Sequence, residues 1–191
     1  MALILASASA IRRQMLEAAG VDFSVVPADI DEAALKSGEP ERAALSLAEA
    51  KALTVSEQRH AEWVIGSDSI VSVEGRSFDK PRDRDQAAEH LRLFSGRTMQ
   101  LTSAVALARD GRVDWSHADT AELAVRPLSE AFIADYLDAE WPEVGYCVGV
   151  FRMEGRGVQL FERIDGDYFT ILGMPLLPLL QALREKKLLP S

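Results

Sequence analysis

Residues 63–81, WVIGSDSIVSVEGRSFDKP, constrain the fold most, because they set a carboxylate, Asp68, inside an apolar run. Trp63-Val64-Ile65 reads as a buried strand. Gly66 and Ser67 interrupt it, and apolar residues resume at Ile70, Val71 and Val73 before the Glu74-Gly75 turn signal. The pattern predicts a strand, a break at Gly66, and a second strand that leads into a turn. A lone buried carboxylate is costly, so Asp68 requires a cation, hydrogen bonds or a metal ion. Lys80, across the turn, is one available cation. A structural Asp–Lys pair or a turn-capping Asp produces the same pattern as a reactive acid.

The rest of the chain alternates strand and helix signals. Ala2 to Ala6 predicts a short buried strand. Ser9 then suits an N-cap for a helix over about residues 10–19, which Gly20 closes. A strand, a loop of small residues and a helix start aim backbone N–H groups in one direction, an arrangement that favours anions. Arg12 in the first helical turn opposes the helix dipole. Phe23 to Val26 predicts a second strand. The acids Asp29, Asp31 and Glu32 follow, either as a solvated loop or with a carboxylate aimed at a metal.

Pro40 fits the first position of a helix that runs to about Glu57. Ala44, Leu47, Lys51 and Val55 share its inward stripe. Lys51 either snorkels or points its ammonium into a pocket that holds negative charge. Asp83 and Gln86 resemble a capping pair for a helix to Phe94, and Asp110-Gly111 marks a hairpin between strands near Met99–Leu107 and Ala118–Val125. A helix from Ser129 to about Asp138 follows. Gly145, Gly149, Gly155 and Gly157 lie among apolar residues and suit close approach of backbone to a ligand. Residues 158–164 predict a strand, and Gly173-Met174-Pro175 leads into a last helix. Early alternation and a late hairpin predict an α/β fold with a mixed central sheet flanked by helices.

With 191 residues the chain is expected to form one domain over 1–191. A net charge of −9 argues against nucleic acid or an anionic membrane as partner. The single cysteine, Cys147, excludes an internal disulfide and fits a reducing compartment, hence a cytoplasmic location. No apolar run reaches the ~18 residues needed for a membrane span.

Several pieces together resemble the Maf family of nucleotide pyrophosphatases. Leu5-Ala6-Ser7-Ala8-Ser9 with Arg12 is similar to the family's L-A-S-x-S-P-x-R opening. Asp31-Glu32 resembles its D-E pair, and Leu47-Ala48-Glu49-Ala50-Lys51-Ala52 its L-A-x-x-K-A helix. Ile65-Gly66-Ser67-Asp68 followed by Lys80-Pro81 resembles its G-[SA]-D…K-P core. Leu93-Phe94-Ser95-Gly96, Gly166-Asp167-Tyr168 and Gly173-Met174-Pro175-Leu176 resemble the later landmarks. The match runs in order from end to end. It departs at Ala10, where the family has Pro, at Val148-Gly149-Val150-Phe151, where it has A-G-[AS]-[YF], and at Met174, where Leu is common.

The resemblance implies a deep nucleotide-binding cleft of the kind shared with inosine-triphosphate pyrophosphatases. It implies hydrolysis of a nucleoside triphosphate to the monophosphate and pyrophosphate, a house-cleaning activity that needs Mg²⁺ or Mn²⁺, and a homodimer. Asp68 is then the catalytic base and, with Glu32, the metal ligand; Ser7, Arg12, Lys51 and Lys80 bind the polyphosphate. Ile11, Ser69 and Glu154 select the base. A carboxylate at position 154 accepts from the donor edge of a guanine, which favours a substrate such as 7-methyl-GTP. A nucleotide-binding regulator of cell division with little turnover is the alternative, and a protein-interaction module a third class.

Overall fold

A computed structural model describes residues 2–36 and 38–190. In order, these form β1 (Leu3–Leu5), α1 (Ala10–Ala18), β2 (Ser24–Val25), α2 (Pro40–Ser56), β3 (Trp63–Val73), β4 (Arg76–Phe78) and α3 (Arg84–Phe94). Then come β5 (Thr98–Arg109), β6 (Arg112–Val125), α4 (Glu130–Glu140), β7 (Phe161–Asp165), α5 (Tyr168–Ile171) and α6 (Leu176–Glu185). The strands build one sheet in the order β2-β1-β3-β5-β6-β7, with β4 also on β3. β1 runs parallel to β2 and β3, whereas β3–β4 and β6–β7 are antiparallel. The sheet is therefore mixed, as the sequence pattern predicts.

Local signals set many of the boundaries. Pro40 opens α2. The Asp83 side chain accepts from the Gln86 N–H at the start of α3, and Ser129 accepts from the Phe132 N–H at the start of α4. Ser9 occupies the N-cap of α1, but its side chain makes no capping hydrogen bond. Asp110 and Gly111 turn the β5–β6 hairpin at φ 51° and 71°.

Two expectations change, and one element is added. β3 is continuous, so Gly66 is not a break. A Cβ at Gly66 would lie 2.1 Å from the Ala48 carbonyl oxygen and 2.6 Å from the Ala52 nitrogen; the glycine lets the α2 backbone rest directly on the strand. Residues 156–160 form a 3₁₀ turn rather than the start of a strand, because Gly157 packs on the Arg152 backbone, 2.5 Å from where its Cβ would be. The short helix α5 precedes α6 and had no clear sequence signal.

The chain divides into two compact units, residues 1–69, 102–120 and 167–191, and residues 70–101 and 121–166. The core of the first packs Leu3 and Leu5 of β1, Ile65 of β3 and Val105 and Leu107 of β5 against Met15 and Leu16 of α1 and Leu176, Leu179 and Leu183 of α6. In the second, α3 and α4 pack together, and the rings of Phe78, His90 and Phe94 meet edge-on or tilted.

Successive side chains of a strand point to opposite faces. In β3 this directs Gly66 and Asp68 to the α2 side, and Ile65, Ser67 and Ser69 to the α1 and α6 side. Gly66→Ala places a methyl group on helix backbone that no side-chain rotation can relieve. The substitution is expected to cost at least the upper end of the roughly 1–3 kcal/mol typical of overpacking. A thermal or urea unfolding curve of G66A against the wild type checks this.

Candidate active site

The site grows from the β3 alternation. On the α2 side, the close approach at Gly66 brings the turn of α2 that carries Lys51 against the strand, two residues from Asp68. The Lys51 ammonium lies 2.5 Å from Asp68 Oδ1 and 2.7 Å from Glu32 Oε1. Lys36 Nζ sits 3.4 Å from the other Glu32 oxygen. The cation that meets Asp68 is thus Lys51 of α2, distant in sequence, rather than the Lys80 that the local sequence offered. Lys51 and Asp68 have side chains only 12% and 10% exposed, so their charges face each other with little solvent between them. Burial pushes Glu32 up, but the hydrogen bond and charge of Lys51, helped by Lys36, outweigh it and hold the carboxyl below its ordinary value.

On the opposite face lies Arg12, buried in the first turn of α1. Its Nε donates to the Gly173 carbonyl at 2.9 Å, and Nη1 donates to the Ser67 carbonyl at 2.9 Å and to Ser7 Oγ at 3.3 Å. Nη2 donates to Ser69 Oγ at 2.9 Å. One guanidinium therefore ties together the loop after β1, the middle of β3 and the turn before α6. Burial lowers its pKa, while the charges of Asp68 and Glu32 act to raise it; Arg12 stays cationic, as an arginine does. Most of its hydrogen-bonding capacity holds the scaffold, and its charge still reaches the two carboxylates.

Hydroxyl groups extend this face. Ser67 Oγ donates toward the carbonyls of Ala104 and Gly173, at 2.8 and 3.1 Å. Ser69 Oγ lies 2.9 Å from Ser103 Oγ, which donates to the Thr170 carbonyl at 2.8 Å. Thr170 Oγ1 in turn donates to Asp119 Oδ2 at 3.0 Å. Gly173 sits at φ +107°, a backbone conformation that other residues rarely adopt, and a Cβ there would lie 3.3 Å from Ser69 Oγ.

The sequence-predicted residues fall into two groups. Ser7, Arg12, Glu32, Lys51, Asp68 and Ser69 lie in the first unit, with Ser7 and Ser69 on Arg12 at one face of β3 and Glu32 and Asp68 on Lys51 at the other; Ile11, half-buried, precedes Arg12 on α1. Lys80 and Glu154 lie in the second unit, both exposed. Glu154 Oε1 is 3.4 Å from Arg152 Nε. Both Glu154 and Lys80 bear on Cys147, whose thiol is pushed up to about 11 first by burial and then by the Glu154 charge, against Lys80 and Arg152. Ser67, Ser103, Thr170 and the Gly173 carbonyl were not identified as site residues from sequence, since nothing local distinguishes a hydroxyl or carbonyl that closes a network from one that faces water.

This α/β architecture matches that of a solved structure, the Staphylococcus aureus Ham1 protein, at 14% identity and a TM-score of 0.51, over 98% of this chain and 100% of that one. The family model described as Maf-like protein matches residues 2–186, and the chain belongs to the Maf family. A protein of Rhizobium etli named 7-methyl-GTP pyrophosphatase is 50% identical over 189 residues, 96% of this chain and 95% of its own length. A protein of Sphingopyxis alaskensis named nucleoside triphosphate pyrophosphatase is 44% identical over the whole of both chains.

Arg12→Lys retains the charge but not the planar fork, so most of the four contacts are lost, although Ser67 Oγ and Ser69 Oγ still reach the Gly173 carbonyl. The variant is expected to lose about 3 kcal/mol or more of stability. Denaturant unfolding of R12K beside R12A checks this: the two should be destabilised to a similar degree.

Proposed function

We propose that this chain is a nucleoside triphosphate pyrophosphatase that acts on guanine-type triphosphates, with 7-methyl-GTP as the preferred kind. The observation that carries the reading is the Lys51 ammonium, on a side chain only 12% exposed, held between Asp68 and Glu32, with the charge of Arg12 acting on both carboxylates. A polyanion and a cation-binding carboxylate pair need this mixture of charges, and a chain of net charge −9 would not gather it at random. The names of relatives 44–50% identical along the whole chain support the same reading.

In this reading, water attacks the α-phosphorus, the bond between the α-phosphorus and the bridging oxygen breaks, and pyrophosphate leaves with that oxygen. Asp68 takes the proton of the water. Ser7 and the N–H groups at the start of α1, which no side chain caps, receive phosphate oxygens, with Lys51 and Lys80 as further cations. Asp68 and Glu32 are hard oxygen donors brought together on one positive charge, a donor set that fits Mg²⁺ or Mn²⁺. Among the described residues no group of three or more His, Cys, Asp or Glu gathers for a metal, so the remaining ligands would be water and phosphate. When bound, such an ion neutralises phosphate charge and makes water more acidic. Glu154 would accept from the donor edge of the base, oriented by Arg152, with Ile11 and Ser69 as further selectors. The protein would work in the cytoplasm as a homodimer. Among the described residues no helix is long and apolar enough to cross a membrane.

Pyrophosphate release across GTP, 7-methyl-GTP, ITP, UTP and dTTP, with Mg²⁺ or Mn²⁺ and with EDTA, tests the proposal. Release is expected with the metal only, and fastest from a guanine-type triphosphate. Fastest cleavage of UTP or dTTP overturns the base assignment, and no release from any triphosphate overturns the activity. Asp68→Asn should lower kcat by about 10²–10⁴ with circular dichroism unchanged; near-normal turnover would remove Asp68 from its role.

A further inference from the structure

We propose that Lys51 is the resident counter-ion of the carboxylate pair and makes metal binding depend on the nucleotide. This rests on the reading of Asp68 and Glu32 as the metal-holding carboxylates. The ammonium lies within 2.5 Å of one carboxylate and 2.7 Å of the other, so it occupies the place of lowest potential that a dication would seek. Magnesium holds its oxygens at about 2.0–2.1 Å and tolerates little departure from octahedral geometry, so an ammonium cannot keep both contacts beside it.

The charge balance sets the direction. Two carboxylates, Asp68 and Glu32, are paired with two ammonium groups, Lys51 and Lys36, while the charge of Arg12 acts on them from the other face of β3. The paired charges already balance, so a dication alone would leave the cluster with an excess of two positive charges. It would also displace the Lys51 ammonium, whose side chain is only 12% exposed, from both of its carboxylates. A triphosphate, with about four negative charges near neutral pH, removes both penalties. Its oxygens would receive Lys51 and supply ligands that the two carboxylates do not. Lysine suits the exchange because its charge rides on a flexible stem, whereas Arg12 is fixed by four hydrogen bonds. Metal and polyphosphate therefore raise each other's affinity by the same factor, as linkage requires.

The test is Mn²⁺ binding, read from the free-ion signal in electron paramagnetic resonance. It is measured on the intact protein with and without the α,β-methylene analogue of GTP, and protein-free controls give the analogue's own affinity for Mn²⁺. The wild type should bind Mn²⁺ about tenfold or more tightly when the analogue is present, within the range usual for coupled sites. Lys51→Gln should bind Mn²⁺ alone about tenfold more tightly than the wild type, with the coupling much reduced. Lys51→Arg should keep Mn²⁺ binding alone as weak as in the wild type.

Equal Mn²⁺ affinity of the wild type in the two conditions overturns the proposal, as does a folded K51Q that binds Mn²⁺ no better, or the absence of Mn²⁺ binding in both conditions. If K51Q does not fold by circular dichroism, the two wild-type titrations decide alone. Pyrophosphate release is scored separately. Turnover without coupling sinks this inference and leaves the functional reading, whereas absence of turnover sinks the reading itself.

Discussion

The contact of helix backbone on strand backbone at Gly66 is the constraint on which the candidate site depends. α2 meets β3 there with no side chain from the strand between them, and the helix contributes Ala48 and Ala52, both fully buried. Lys51 lies between those two alanines in sequence, and Asp68 lies two residues past Gly66 on the same face of the strand. The short distance between elements is what places a side-chain ammonium on the carboxylate, rather than leaving each to find water. Burial of Asp68 without that ammonium would leave an uncompensated charge in the interior, a loss on the order of 3–5 kcal/mol. Packing and electrostatics are therefore one feature here: the small residues that allow the approach also make the ion pair possible.

Much of the architecture was legible because it follows from local rules. The Pro that starts α2, the Asp83 and Ser129 caps and the Asp110-Gly111 hairpin act within a few residues of themselves. The need of Asp68 for a partner was equally legible, since it follows from burial alone. The identity of the partner was not. Lys80 lay just across a turn, whereas Lys51 belonged to another helix, and only its place on the inward stripe hinted at its role. Gly66 shows the same limit. A glycine in a strand pattern signals either an interruption or a close approach, and the choice belongs to whatever packs on it. The Arg12 network was hidden for a different reason. Its acceptors are two carbonyls and two hydroxyls from three segments, and a carbonyl carries no sequence signature.

The two cations near Asp68 illustrate how chemistry divides labour between residues of like charge. Arg12 presents a planar fork, and four of its N–H groups match acceptors whose positions are fixed by β3 and by the turn at Gly173. A lysine at position 12 would have three donors on a flexible stem and would meet that set poorly. The arginine is thereby immobile, and its charge is a constant part of the potential felt by Asp68 and Glu32. Lys51 makes two ionic contacts through one atom, and rotation about its stem can release both. A fixed positive field lowers the cost of gathering two carboxylates, and the ammonium on its flexible stem neutralises them directly. A lysine could not replace Arg12, because that role requires many simultaneous bonds, whereas the role of Lys51 requires few.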